Sequence, residues 1–141
     1  MNGLVRMEGQ RKGCGMQASI QTEIEKWLVQ MRKGAAEFAV LSLLRNGRSY
    51  GSKLLDSIAE AKRLNLSEGS IYPLLKRLEH DEKITSSWEH DEGAAHPRKY
   101  YELTAKGRSL VEAMSEEWQA FSRAMETLQV TAPNTPLSKA G

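Results

Sequence analysis

The chain has 141 residues, 40% of them hydrophobic and 27% charged, which is enough for one modest core and too few for two separate domains. Twenty Lys and Arg against 18 Asp and Glu leave a formal charge of +2, so a nucleic-acid partner would have to be met by a local basic patch. A lone Cys14 excludes an internal disulfide, and no apolar run is long enough for a secretory leader or a membrane span, so a cytoplasmic location is expected.

Residues 1–18 mix Gly, Met, Arg and Lys without periodicity and read as a flexible N-terminal tail. From there Ile20, Ile24, Trp27, Leu28 and Met31 recur at helical spacing behind Ser19 as a cap, which predicts an amphipathic helix. After Lys33-Gly34, the segment AAEFAVLSLL is apolar around most of a helical circumference and is expected to be the central core helix, stopped by Asn46-Gly47. A third helix is expected after Tyr50-Gly51, capped by Ser52, with Leu54, Leu55, Ile58 and Ala59 inward.

A fourth helix follows Asn65-Leu66-Ser67, with Ile71, Leu74, Leu75 and Leu78 on its inner face and Ser70, Tyr72, Lys76 and Arg77 opposite. Pro73 tolerates a place in a first turn only, which leaves the start of that helix open between Ser67 and Ser70. ITSSWE and KYYEL favour strands and flank the turn-rich HDEGAAHPR, which predicts a hairpin with a polar tip. Alternation along it sends only one of Tyr100 and Tyr101 to the core.

Thr104 caps a last helix, in which Val111, Met114, Trp118, Phe121, Met125 and Leu128 recur at intervals of 3 and 4, a mean of about 3.5. Such a stripe runs about 27 Å, too long for a small hairpin to cover, and calls for a partner helix. The first helix, through Trp27 among others, has an apolar face that could also pack there. Residues 131–141, with two prolines, read as a second flexible tail.

The expected fold is therefore mainly α, an α+β winged helix-turn-helix. A winged-helix domain with its arm helix spans 19–103 and a dimerisation helix spans 104–130. Helices followed by a two-stranded hairpin place one helix in a major groove and the wing against neighbouring backbone. In chain order, RKGAAEFAVLSLL, SYGSKLLDSI, SEGSIYPLLKRLE, ITSSWE, PRKYYELTAKG and Trp118 resemble the PadR-like transcriptional regulators, from about Ile24 to Leu128. The single helix after the wing is similar to the smaller subclass of that family. The chain departs from the family pattern at Glu82-Lys83, where Gly then Leu is usual, and at Ala95-His96, where a Gly usually precedes Pro97.

The resemblance implies a homodimeric repressor on a pseudopalindromic operator in double-stranded DNA. The expected contacts are Tyr50, Ser70, Tyr72 and Lys76, with Arg98 and Lys99 on the wing. From charge alone, Lys76, Arg77, Arg98 and Lys99 read as ordinary solvated surface, and the resemblance shifts them towards contact. The dimer seam would take Trp27, Val111, Met114, Trp118, Phe121, Met125 and Leu128. Met114, Trp118 and Phe121 also suit a small hydrophobic or aromatic effector, and some members of the family sense drugs or phenolic acids.

His80-Asp81-Glu82 and His90-Asp91-Glu92 carry metal-binding chemistry, but a strand separates them by about 20 Å, so no metal is expected. No phosphate-binding Gly loop, HExxH, GxSxG or Cys/His pair is present, so neither catalysis nor a cofactor is expected. The alternative is a winged-helix module that binds protein instead of DNA, which the acidic wing tip at Glu89, Asp91 and Glu92 would suit.

Overall fold

The computed structural model describes residues 2–130, with side chains from residue 15 onward. Its elements are α1 (Asn2–Leu44), β1 (Ser49–Tyr50), α2 (Gly51–Glu60), α3 (Glu68–His80), β2 (Ile84–Glu89), β3 (Arg98–Leu103) and α4 (Ala105–Val130). The chain divides after Ala36 into two compact units.

Up to residue 36, the described chain is a single helix. It begins at Asn2, inside the segment expected as a tail, and passes through Lys33-Gly34 without the expected break. A glycine costs a helix interior only about 1 kcal/mol relative to Ala, which good helix formers on either side outweigh. Ile20, Ile24, Trp27 and Met31 lie exposed along it. The side chain of Cys14 and the second tail, 131–141, lie outside the described residues.

From Glu37 onward, the end of α1 contributes Val40, Leu41 and Leu44 to the core, and the helix stops in a turn in which Gly47 has φ +129. Leu54 and Ile58 of α2 are buried, whereas Ala59, expected inward, is exposed. Tyr50 occupies the N-cap of α2 and Ser52 already lies inside the helix, so the cap expected of Ser52 does not form. All four residues predicted for the inner face of α3, Ile71, Leu74, Leu75 and Leu78, are buried. Burial of a side chain of this size contributes roughly 1.5–3 kcal/mol. Pro73 is the sixth residue of α3, deeper than a first turn, so the Gly69 carbonyl loses its usual helical donor there.

At the end of α3 the chain turns without glycine. Glu82 takes φ +60, its amide bonds the Glu79 carbonyl at 3.0 Å, and the Lys83 amide bonds the Leu78 carbonyl at 2.9 Å. This pair of bonds is a Schellman motif with Glu82 in the left-handed position, so the missing glycine changes the energy of the turn and not its geometry. Lys83 then pairs with Glu37 of α1 at 2.5 Å.

The hairpin forms in the predicted place, but the sheet has three antiparallel strands in the order β1-β3-β2. Ile84 pairs with Leu103, Ser86 with Tyr101, Trp88 with Lys99 and Glu89 with Arg98, while Ser49 and Tyr50 of β1 pair with Tyr101 and Tyr100. Tyr101 is the tyrosine that points to the core, and burial raises its pKa. Tyr100 takes the opposite face.

Thr104 caps α4 as expected: its Oγ1 accepts from the Gly107 amide at 3.0 Å and its hydroxyl donates to the Glu82 carbonyl at 2.6 Å. Val111 is fully buried in the core of its own unit and so leaves the stripe proposed for a dimer seam. From Met114, half-buried, the apolar side of α4 becomes exposed through Trp118, Phe121, Met125 and Leu128.

Candidate nucleic-acid interface

Helix α3 turns Leu74, Leu75 and Leu78 inward, and the 3.6-residue period therefore leaves Ser70, Tyr72 and Lys76 exposed. Tyr72 and Lys76, four residues apart, share one side of the helix. Ser70 sits in the first turn, with its Oγ 3.3 Å from that of Ser67.

Tyr72 leans over the start of α2. A Cβ at Gly51 would come within 2.5 Å of its Cε1, so only glycine lets the ring settle there. The SYG step thus does two jobs: Tyr50 ends β1 and Gly51 makes room for a side chain of α3.

Between α2, α3 and the wing lies a cleft of about 210 Å³ lined by Tyr50, Gly51, Ser52, Tyr72, Trp88, Arg98, Lys99 and Tyr101. It brings together four of the six predicted contacts, Tyr50, Tyr72, Arg98 and Lys99. Ser70 and Lys76 lie outside its lining, on the exposed surface of α3.

Trp88, which lines the cleft, and Arg48, which lies outside its lining, went unread in the sequence. Trp88, 69% exposed, stands opposite Lys99 on β3. Strand alternation from the buried Ile84 carries Trp88 onto the same face, but beyond the edge of the core. The other is Arg48, just before β1, whose guanidinium lies 4.7 Å from the Tyr100 ring centroid and hydrogen-bonds Glu89.

On the same face as this Arg48 contact, opposite Trp88, Arg98 lies 4.4 Å from the Tyr50 ring centroid, and the Tyr50 and Tyr100 rings meet edge to face at 5.4 Å. The Tyr100 hydroxyl donates to Asp91 at 2.6 Å, and this bond with the carboxylate is the main cause that raises its pKa. Among the described residues, no three His, Cys, Asp or Glu side chains converge where they could hold a metal ion.

On α4, the Trp118 ring stacks on Phe121 at 6.5 Å and lies 5.7 Å from the Phe38 ring of α1. Of the residues expected to contact an effector, Trp118 and Phe121 are therefore in contact, and Met114 is half-buried one turn before Trp118. Trp27, expected at the same seam, is an exposed residue of α1. No described helix is long and apolar enough to cross a membrane.

Residues 40–113 match the transcriptional regulator PadR-like family. Among solved structures, a PadR-like transcription factor from Bacteroides fragilis is 35% identical, over 71% of this chain and 95% of that one, with a TM-score of 0.59. A PadR family regulator from Eggerthella lenta is 27% identical, over 80% and 97%, at 0.69. A PadR-like regulator from Bacillus cereus is 32% identical, over 71% and 96%, at 0.65. A search of curated proteins returned no match. A winged helix whose core, hairpin and α4 follow from its own sequence, matched over more than half its length by this family, makes the chain a transcriptional regulator that belongs to the PadR-like family.

Proposed function

We propose that the chain binds double-stranded DNA as a homodimeric repressor. The observation that carries this reading is the joining of Tyr72 on α3 to Tyr50, Arg98 and Lys99 at the base of the wing in one surface cleft. Guanidinium and ammonium groups fix a protein on phosphates, while the hydroxyls and amines of α3 reach base edges. The two α3 helices of a dimer enter successive major grooves, so the operator is pseudopalindromic with half-sites about 34 Å apart. Bound across a promoter, such a dimer occludes it.

A salt titration tests this reading. Operator selected from a random duplex library should be bound with a log K that falls linearly in log salt, and Lys76→Ala or Arg98→Ala should each weaken binding and reduce the slope by about 1. A flat salt response would instead favour the protein-binding module.

The Trp118–Phe121 stack supports an effector site at the proposed α4 seam, suited to flat apolar molecules. Such a ligand would release DNA by binding better to a conformation in which the two α3 helices no longer match the grooves. In fluorescence titrations against a panel of planar aromatic compounds, quenching should appear in the parent chain and vanish in Trp118→Phe. A panel that leaves both the emission and the operator affinity unchanged would remove the effector from the proposal.

A further inference from the structure

We propose that Glu89 and Asp91 are specificity-determining residues, which compete with DNA phosphates for Arg48 and Arg98 and so suppress binding to non-operator sequence. The inference rests on the DNA-binding reading above.

Arg48, Arg98 and Lys99 each pair with a carboxylate. Arg48 bonds Glu89 at the end of β2. Arg98 Nη1 lies 3.5 Å from Asp91 Oδ2, and Lys99 Nζ lies 3.8 Å from Glu79 of α3. The Arg48–Glu89 pair does not follow from sequence proximity: the two are 41 residues apart, and β3 must pair with both β1 and β2 before their side chains meet.

The carboxylates are also positioned. The Tyr100 hydroxyl donates to Asp91 at 2.6 Å and so holds that carboxylate in place. The two arginines lie against the Tyr100 and Tyr50 rings, which orient their guanidinium planes. Two cations, two carboxylates and two rings thus form one connected cluster on one face of the sheet.

The physical consequence concerns binding that ignores sequence. Phosphate contacts supply nearly all of non-specific affinity, because each neutralised phosphate releases counterions whatever the bases are. An arginine already paired with a carboxylate must give up that pair to reach a phosphate, so the net gain from the exchange is small. The displaced carboxylate is then left beside a polyanion. At random sequence, exchange is therefore close to balanced or unfavourable. At the operator, base contacts made from α3 supply the difference, and the ratio of specific to non-specific binding rises.

Half-exposed pairs can exchange in this way. Both arginines and both carboxylates reach solvent, where an ion pair is screened and only weakly held. The acidic wing tip, which by charge alone argues for a protein partner, becomes part of how the wing discriminates among DNA sequences.

The test uses the full chain, Glu89→Gln, Asp91→Asn and the double variant, with a random-sequence 30-base-pair duplex and the selected operator, each titrated across a range of NaCl. The double variant should bind the random duplex about tenfold more tightly near 0.1 M salt, with a slope steeper by about two, while operator affinity rises less. In an Arg48→Ala background, Glu89→Gln should lose its effect, which separates competition for that arginine from a general change in charge.

Unchanged or weakened random-duplex binding in the double variant, with the operator still bound by the parent chain, would overturn the proposal and leave the DNA reading intact. Equal gains from Glu89→Gln with and without Arg48 would overturn it as well. If neither the parent chain nor the double variant binds any duplex, both readings fail together. Thermal melting within a few degrees of the parent is the expected control, since both substitutions are isosteric and at the surface.

Discussion

A chain carrying Phe121→Asp should sediment as a monomer at concentrations where the parent chain sediments as a dimer. Phe121 is 61% exposed on α4 and stacks on Trp118, itself 46% exposed, so the outer side of this helix carries large aromatic surface that its own unit does not cover. Val111, fully buried inside the protomer, contributes nothing to that surface. Burying a side chain of this kind contributes roughly 1.5–3 kcal/mol, and a two-fold seam contains each residue twice. Loss of both phenyl rings, with two carboxylates in their place, should cost the dimer about 4 kcal/mol or more, on the order of a thousandfold in dissociation constant. Sedimentation equilibrium reads this directly, and a dimer that survives at low micromolar concentration would move the seam away from α4. Operator affinity should fall with the dimer, because a single α3 reads only one half-site.

Gly107→Ala should lower the stability of the folded unit by about 3 kcal/mol, seen as a melting temperature lower by roughly 15 °C. A Cβ there would lie 1.9 Å from the Lys83 carbonyl oxygen and 2.9 Å from its carbon. The obstacle is backbone, not the end of a flexible chain, and it is fastened. The Lys83 carbonyl accepts from the Thr104 amide at 3.1 Å, and the Lys83 amide closes the Schellman turn on Leu78. The first turn of α4 cannot retreat either, because Thr104 bonds both the Glu82 carbonyl and the Gly107 amide. Alanine must therefore separate α4 from the α3–β2 turn, the joint that sets the wing relative to the helix beneath it. A melting curve superimposable on that of the parent would mean that this joint yields at little cost.

Much of the surface around α3 and the wing is legible in the sequence. The offsets of Ile71, Leu74, Leu75 and Leu78 bury one side of α3, and the same period dictates that Ser70, Tyr72 and Lys76 face outward. The strand ITSSWE occupies the residues read for it, and alternation alone required one of Tyr100 and Tyr101 to be buried. Other features had no local signal. β1 is two residues long, too short to carry a period, and forms only because β3 offers an open edge. The continuity of α1 through Gly34 and the displacement of Ser52 from the cap of α2 are decided by the neighbouring turns more than by the residue in question.

Sequence by itself determined which face of α3 is buried, where the hairpin lies and that α4 carries an apolar stripe, because periodicity is a property of neighbours along the chain. Only tertiary structure decided that Val111 belongs to the core and not to the exposed apolar side of α4, that Gly51 and Gly107 stand where another backbone or ring closes in, and that Arg48 meets Glu89. These relations join residues far apart in the chain, so no local pattern encodes them. They follow from how β3 pairs with both of its neighbours and brings the wing against α3.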